Sequence, residues 1–145
     1  MVSGTPSVPT LTRGCVFRAE HDDSFVGWRD TTPRKKICVA FNAVPPGLPD
    51  EVHYFMATSQ VAFYHDNPNL MSDAVEFPAG SYPFFPEQTI VNFREMYSAT
   101  LAKLRQHSFK PLGSLSPADI KRCEDVARGA MQLLIKHKRL LGLFN

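Results

Sequence analysis

The sequence lacks most of the short signatures that mark catalytic chains. It contains neither GxGxxG nor GxxxxGKS/T, which removes the usual dinucleotide and P-loop phosphate sites, and it has no GxSxG elbow. Its five histidines, His21, His53, His65, His107 and His137, form no HxxxH or HExxH pair, so a helical metal site is not supported. The three cysteines, Cys15, Cys38 and Cys123, are far apart and odd in number, and without a CxxC pair they make no cysteine zinc site. Cys15 and Cys38 fall inside apolar runs, where a thiol packs as a small hydrophobe, and reduced cysteines fit a cytoplasmic protein. No apolar stretch approaches the roughly 20 residues of a membrane span. Residues 1–10 read as a flexible polar arm without a signal-peptide core.

What is present points to a small packed domain over residues 11–145. The chain has 145 residues, 43% of them apolar and 11 of them Phe, enough to bury a core. The 12 prolines and 8 glycines stand nearly all before residue 118, a density that favours short elements joined by turns. The net charge of +2 is unevenly spread. Residues 1–100 carry 7 Lys/Arg and 11 Asp/Glu, whereas residues 101–145 carry 9 and 3. A basic last third suits phosphates or an acidic partner, although a solvated helix face accounts for it equally well.

Hydrophobic patterning predicts strands at 15–19, 37–41, 52–57, 74–77 and 89–93. The run Ile37-Cys38-Val39-Ala40-Phe41 is continuously apolar, as in a strand buried on both faces. Residues 20–33 read as a long polar loop holding the lone Trp28, Pro45-Pro46-Gly47 as a forced turn, and 65–72 as a loop around Asn67-Pro68-Asn69. Residues 94–105 admit two readings: Met96, Leu101 and Leu104 could share a helical face, whereas Tyr97 and Thr100 suit a strand followed by a short turn, the reading favoured here.

The clearest element is a helix over 117–138. Ser116 suits the N-cap, Pro117 the first helical position and Asp119 the positive helix start. Ile120, Cys123, Ala127, Ala130 and Leu134 recur every three or four residues as one apolar stripe, which is a core face. Gly142 is a plausible stop. The class is therefore α+β, mainly β, with a C-terminal amphipathic helix.

Two segments carry residues suited to chemistry. Arg34-Lys35-Lys36 stands at the mouth of the buried strand, where cations can hold a phosphate or a developing negative charge. An ordinary charged turn is the blander reading. Thr58-Ser59-Gln60 closes the next strand, and hydroxyls there either bond phosphate oxygens or cap a turn. If the two strands are antiparallel neighbours, the cations and hydroxyls meet at one end.

The ordered set of motifs resembles the PemK/MazF-like toxins. Arg13-Gly14-Cys15-Val16-Phe17 is similar to the family's opening strand, and Arg34 to Ala40 to its Arg-Pro-Val-Val-Val strand. Phe55-Met56-Ala57-Thr58-Ser59-Gln60 is similar to its apolar strand ending in Thr-Thr-Gln or Thr-Ser-Gln. Thr89 to Arg94 occupies the place of a further barrel strand, and Leu112 to Asp119 resembles the family's entry to its last helix. The order holds over about residues 11–135.

The resemblance implies a small SH3-like β-barrel that acts as a homodimer. It implies cleavage of single-stranded RNA without metal or other cofactor, and neutralisation by an antitoxin protein. Carried over by position, the family's active-site arginine falls on Lys35, with Arg34 beside it, and its hydroxyl on Thr58 or Ser59. The family's proline after the arginine is Lys36 here, and the first loop lacks a Gly-His-Glu sequence. On this reading Arg34, Lys35, Thr58 and Ser59 are catalytic, and Lys36, His53, Gln60 and Tyr64 contact substrate. His53 or His65 would serve as general base, and Tyr64 or Tyr82 as a stacking platform. The competing reading is a non-catalytic barrel module that binds a protein partner or nucleic acid.

Overall fold

A computed structural model describes residues 11–28, 32–42, 50–130 and 133–143. The arm expected at 1–10 and the turn expected at Pro45-Pro46-Gly47 lie outside these residues. An antiparallel sheet curls into a half-barrel with strand order β4-β5-β3-β2-β1-β7. Its strands are β1 (Cys15–His21), β2 (Arg34–Ala40), β3 (Glu51–Thr58), β4 (Ala74–Phe77), β5 (Thr89–Asn92), β6 (Tyr97–Thr100) and β7 (Lys110–Ser114).

β3 is the hinge of this topology. One edge pairs with β2, through Cys38↔Met56, Val39↔Phe55 and Ala40↔Tyr54. The other edge is shared: Glu51 to Tyr54 pair with β6, and Ala57 and Thr58 with β5. Core therefore forms on both sides of β2 and β3. Val39 and Phe55 join one cluster with Phe41, Phe93 and Cys123, while Cys38 and Tyr54 join another with Phe17 and Leu104. Successive strand residues point to opposite faces, which is why both runs are continuously apolar.

The helices are short. α1 (Val61–His65) and α2 (Pro68–Met71) follow β3, so part of the loop expected at 65–72 is helical. Residues 97–100 form the strand expected within 94–105, but α3 (Leu101–Arg105) replaces the turn, capped by Thr100 and burying Leu101 and Leu104. α4 (Pro117–Gly129) begins as the sequence predicts: Ser116 Oγ accepts the Asp119 N–H at 3.2 Å.

The single helix expected over 117–138 is instead two. Ala130 is extended, and α5 (Ile135–Leu140) follows. The apolar stripe fails at Leu134, which is exposed, whereas Leu133, Leu141 and Leu143 enter the core. The break is held by polar bonds, with Lys138 Nζ donating to the Arg128 carbonyl at 2.9 Å and Arg128 Nε to that of Leu143 at 2.8 Å.

A second correction concerns the segment Tyr82-Pro83-Phe84-Phe85, whose Tyr82 is expected from sequence to offer a stacking platform. Phe84 and Phe85 are core residues. The Tyr82 hydroxyl donates to Asp119 at 2.6 Å and accepts the Ser116 N–H at 2.8 Å, which fastens this segment to the start of α4. Tyr82 is thus a bracket and not a stacking platform.

The Arg13-Gly14 pair at the chain's first turn is structural too. Arg13 lies over the Phe41 ring and bonds the Asn42 carbonyl at 3.0 Å, Glu124 at 2.6 Å and the Leu141 carbonyl. Gly14 has φ +92°, and a Cβ there would stand 2.5 Å from Ile120 Cδ1. Glycine is required for both the backbone angle and the approach of α4.

Candidate functional site

The start of β2 and the end of β3 lie side by side because the two strands are antiparallel. Lys35, Lys36, Thr58, Ser59 and Gln60 all line one cleft of about 300 Å³, walled on its far side by Phe84, Glu87 and Thr89. Lys36, Thr58 and Gln60 also line an adjoining cleft of about 250 Å³, with Phe63, Tyr64 and Tyr97. Lys36 and Thr58 line both clefts, and Lys35 lines only the first.

The charges here are uncommitted. Among the described residues neither lysine ammonium makes a hydrogen bond or ion pair, and Lys35 is exposed. Thr58 Oγ1 accepts the Gln60 N–H at 3.1 Å, which turns the chain into α1 and leaves the hydroxyl proton to donate. Asn92 lines the Tyr64 cleft, and its Oδ1 accepts the Arg94 N–H at 2.9 Å. Burial raises the Tyr64 phenol above its ordinary value, and the Arg94 charge and the Asn92 bond oppose that rise. Phe63 is exposed beside Tyr64, giving an aromatic surface next to the cations.

The remaining predicted residues lie elsewhere. Arg34 stands opposite His21 in the β1–β2 ladder and lines neither cleft. His53 is buried at the other end of β3, roughly 16 Å of strand from Thr58. Its Nδ1 lies 2.7 Å from Ser98 Oγ, and its pKa is lowered by burial. His65 Nε2 is 2.9 Å from Glu76 and lines neither cleft. His21 is packed against Phe25 and Trp28 with Nε2 2.7 Å from the Tyr54 hydroxyl, and burial brings its pKa down to about 4. No histidine lines either lysine cleft.

Sequence reasoning missed Glu87, Thr89, Asn92 and Glu95. They reach the site because β5 pairs with the last two residues of β3, and nothing local in the sequence announces that pairing. The cysteines supply no nucleophile: burial raises all three thiols, Cys123 to about 12. Among the described residues no group of three or more His, Cys, Asp or Glu side chains could hold a metal ion, and no helix is long and apolar enough to cross a membrane. Compared with models of known protein families and with curated proteins, the chain matches none.

Proposed function

We propose that the chain is a PemK/MazF-like endoribonuclease that cuts single-stranded RNA by 2′-OH attack, without metal. One observation carries the reading: Lys35 and Lys36, whose ammonium groups make no bond among the described residues, meet the hydroxyls of Thr58 and Ser59 in one cleft. The 2′-oxygen attacks the adjacent phosphorus, and the bond to the 5′-oxygen breaks. The products are a 2′,3′-cyclic phosphate and a free 5′-OH. Lys35 and Lys36 neutralise the charge gathering on the phosphoryl oxygens, and Thr58 and Ser59 orient the phosphate. Glu87, the carboxylate in the same cleft, accepts the 2′-OH proton, and a lysine ammonium returns one to the departing oxygen. Phe63 and Tyr64 stack the neighbouring bases.

The same resemblance supports reading the curled sheet as an SH3-like barrel, and the protein as a cytoplasmic homodimer restrained by an antitoxin. The test is incubation of the purified chain with single-stranded RNA in EDTA. Fragments ending in 2′,3′-cyclic phosphate, and none from a 2′-deoxy substrate, are the expected result.

A second reading, a nucleic-acid-binding barrel without chemistry, is favoured by the lack of any histidine in the two lysine clefts. RNA retained but left intact in that assay would establish it.

A further inference from the structure

A third cleft, of about 540 Å³, adjoins the Tyr64 cleft, because Asn92 and Glu95 line both. Its volume falls within the roughly 300–1,000 Å³ of ligand pockets. Val26, Met96 and Leu134 give it apolar walls, and Arg94 and Glu95 give it opposite charges. Both charged residues are half-buried, and among the described residues neither side chain makes a hydrogen bond or ion pair. Adjacent unlike charges that are partly withdrawn from water and do not pair with each other are left to bind something else. Gly27 keeps the space open: it has φ +90°, and a Cβ there would stand 3.1 Å from Glu95 Oε1.

A guanidinium and a carboxylate in one apolar-walled cleft select among nucleobases. Arginine donates two parallel bonds to an acceptor pair such as guanine O6 and N7. A carboxylate accepts two from a donor pair such as guanine N1–H and N2–H. Guanine is the one common RNA base that offers both pairs. Adenine has no adjacent donor pair, uracil has a single N3–H between two acceptors, and cytosine has an N4–H beside acceptors. We infer that this cleft is a guanine-reading site, with Arg94 on the O6/N7 edge, Glu95 on the N1/N2 edge and Met96 and Leu134 against the ring. The inference rests on the RNA reading only for what carries the guanine, a strand or a free nucleotide.

The test is binding of the full chain to 2′-O-methyl pentanucleotides, which 2′-OH attack cannot cut. UUGUU, UUAUU, UUUUU and the inosine strand UUIUU are compared by fluorescence anisotropy, with GMP as the free-nucleotide probe. One bidentate contact discriminates by roughly five- to a hundredfold. UUGUU should therefore bind about tenfold or more tighter than UUAUU and UUUUU. UUIUU, which lacks the 2-amino group, should fall several-fold below UUGUU. Glu95→Gln, at a half-exposed position with no bonded partner among the described residues, should lower the guanine-to-uracil ratio about fivefold or more, leaving the share that Arg94 contributes. If GMP binds with the same Glu95 dependence while no pentanucleotide binds, the guanine site stands and the RNA reading falls. Equal binding of all four pentanucleotides by the wild type overturns the guanine site and leaves the RNA reading intact. Failure of every probe to bind overturns both.

Discussion

Arg13 and Lys35 are both cations beside the same sheet, and the protein treats them in opposite ways. Arg13 is almost fully covered, stacks on Phe41 and spends its guanidinium on Asn42, Glu124 and Leu141. Lys138 is likewise buried, with its ammonium on the Arg128 carbonyl. Lys35 and Lys36, at the other end of β2, make no such bonds among the described residues. The histidines divide in the same way: His21 and His53 are buried and bonded, and neither faces the lysine clefts. Charge that is desolvated and satisfied holds the fold, whereas charge left at a cleft without a partner is available to a ligand.

The largest loss of stability is expected at Arg13. Arg13→Ala leaves Glu124 and two carbonyls without their donor. It should cost about 3–5 kcal/mol by urea denaturation, the range for breaking a buried charged pair. A loss below about 0.5 kcal/mol, typical of an exposed site, would erase the distinction.

His21 sharpens it next. Its folded pKa of about 4 lies below the ordinary 6.5, so the unfolded chain binds more protons across that interval. Stability tied to the neutral imidazole is complete above about pH 6.5 and is lost as pH falls toward about 4, amounting to as much as ~3 kcal/mol. Urea midpoints measured from pH 7.5 to 4.5 should fall steadily in the wild type and more gently in His21→Gln. Parallel curves would show that His21 is not the group responsible.

Gly14→Ala tests the turn beside Arg13. The positive φ and the 2.5 Å approach to Ile120 should together cost about 1–3 kcal/mol, read as a lower melting temperature. A neutral result would mean that α4 is free to shift outward.

The sequence made the core strands legible because they are buried on both faces or sharply alternating: β2, β3, β4 and β5 each fall within a residue or a few of the expected ends. β7 was invisible, since Lys-Pro-Leu-Gly-Ser has no strand character and pairs as an edge at an irregularity between Val16 and Phe17. The helix after Ser116 was legible from its cap, but not its end, because the core takes Leu133 and Leu141 through a chain reversal that a helical stripe cannot express. The meeting of Lys35 with Thr58 followed from neighbouring antiparallel strands. Glu87, Asn92 and Glu95 did not follow, because their place depends on β5 joining the far edge of β3. Arg34 lies one strand position outside the clefts, and His53 five positions from Thr58.

The smallest expected effect on stability is the most telling for function. The double variant Lys35→Ala/Lys36→Ala should change the folding free energy by no more than about 0.5 kcal/mol, since neither ammonium is bonded within the described protein. Its cleavage of single-stranded RNA in EDTA should nevertheless fall by about 10²–10³-fold, the cost of removing a group that stabilises transition-state charge. Melting temperature and initial cleavage rate, measured on the same samples, separate a charge that serves the substrate from one that serves the fold. An unchanged melting temperature with lost cleavage is the predicted result. Wild-type protein that leaves RNA uncut, or a variant that cuts at the wild-type rate, would contradict it.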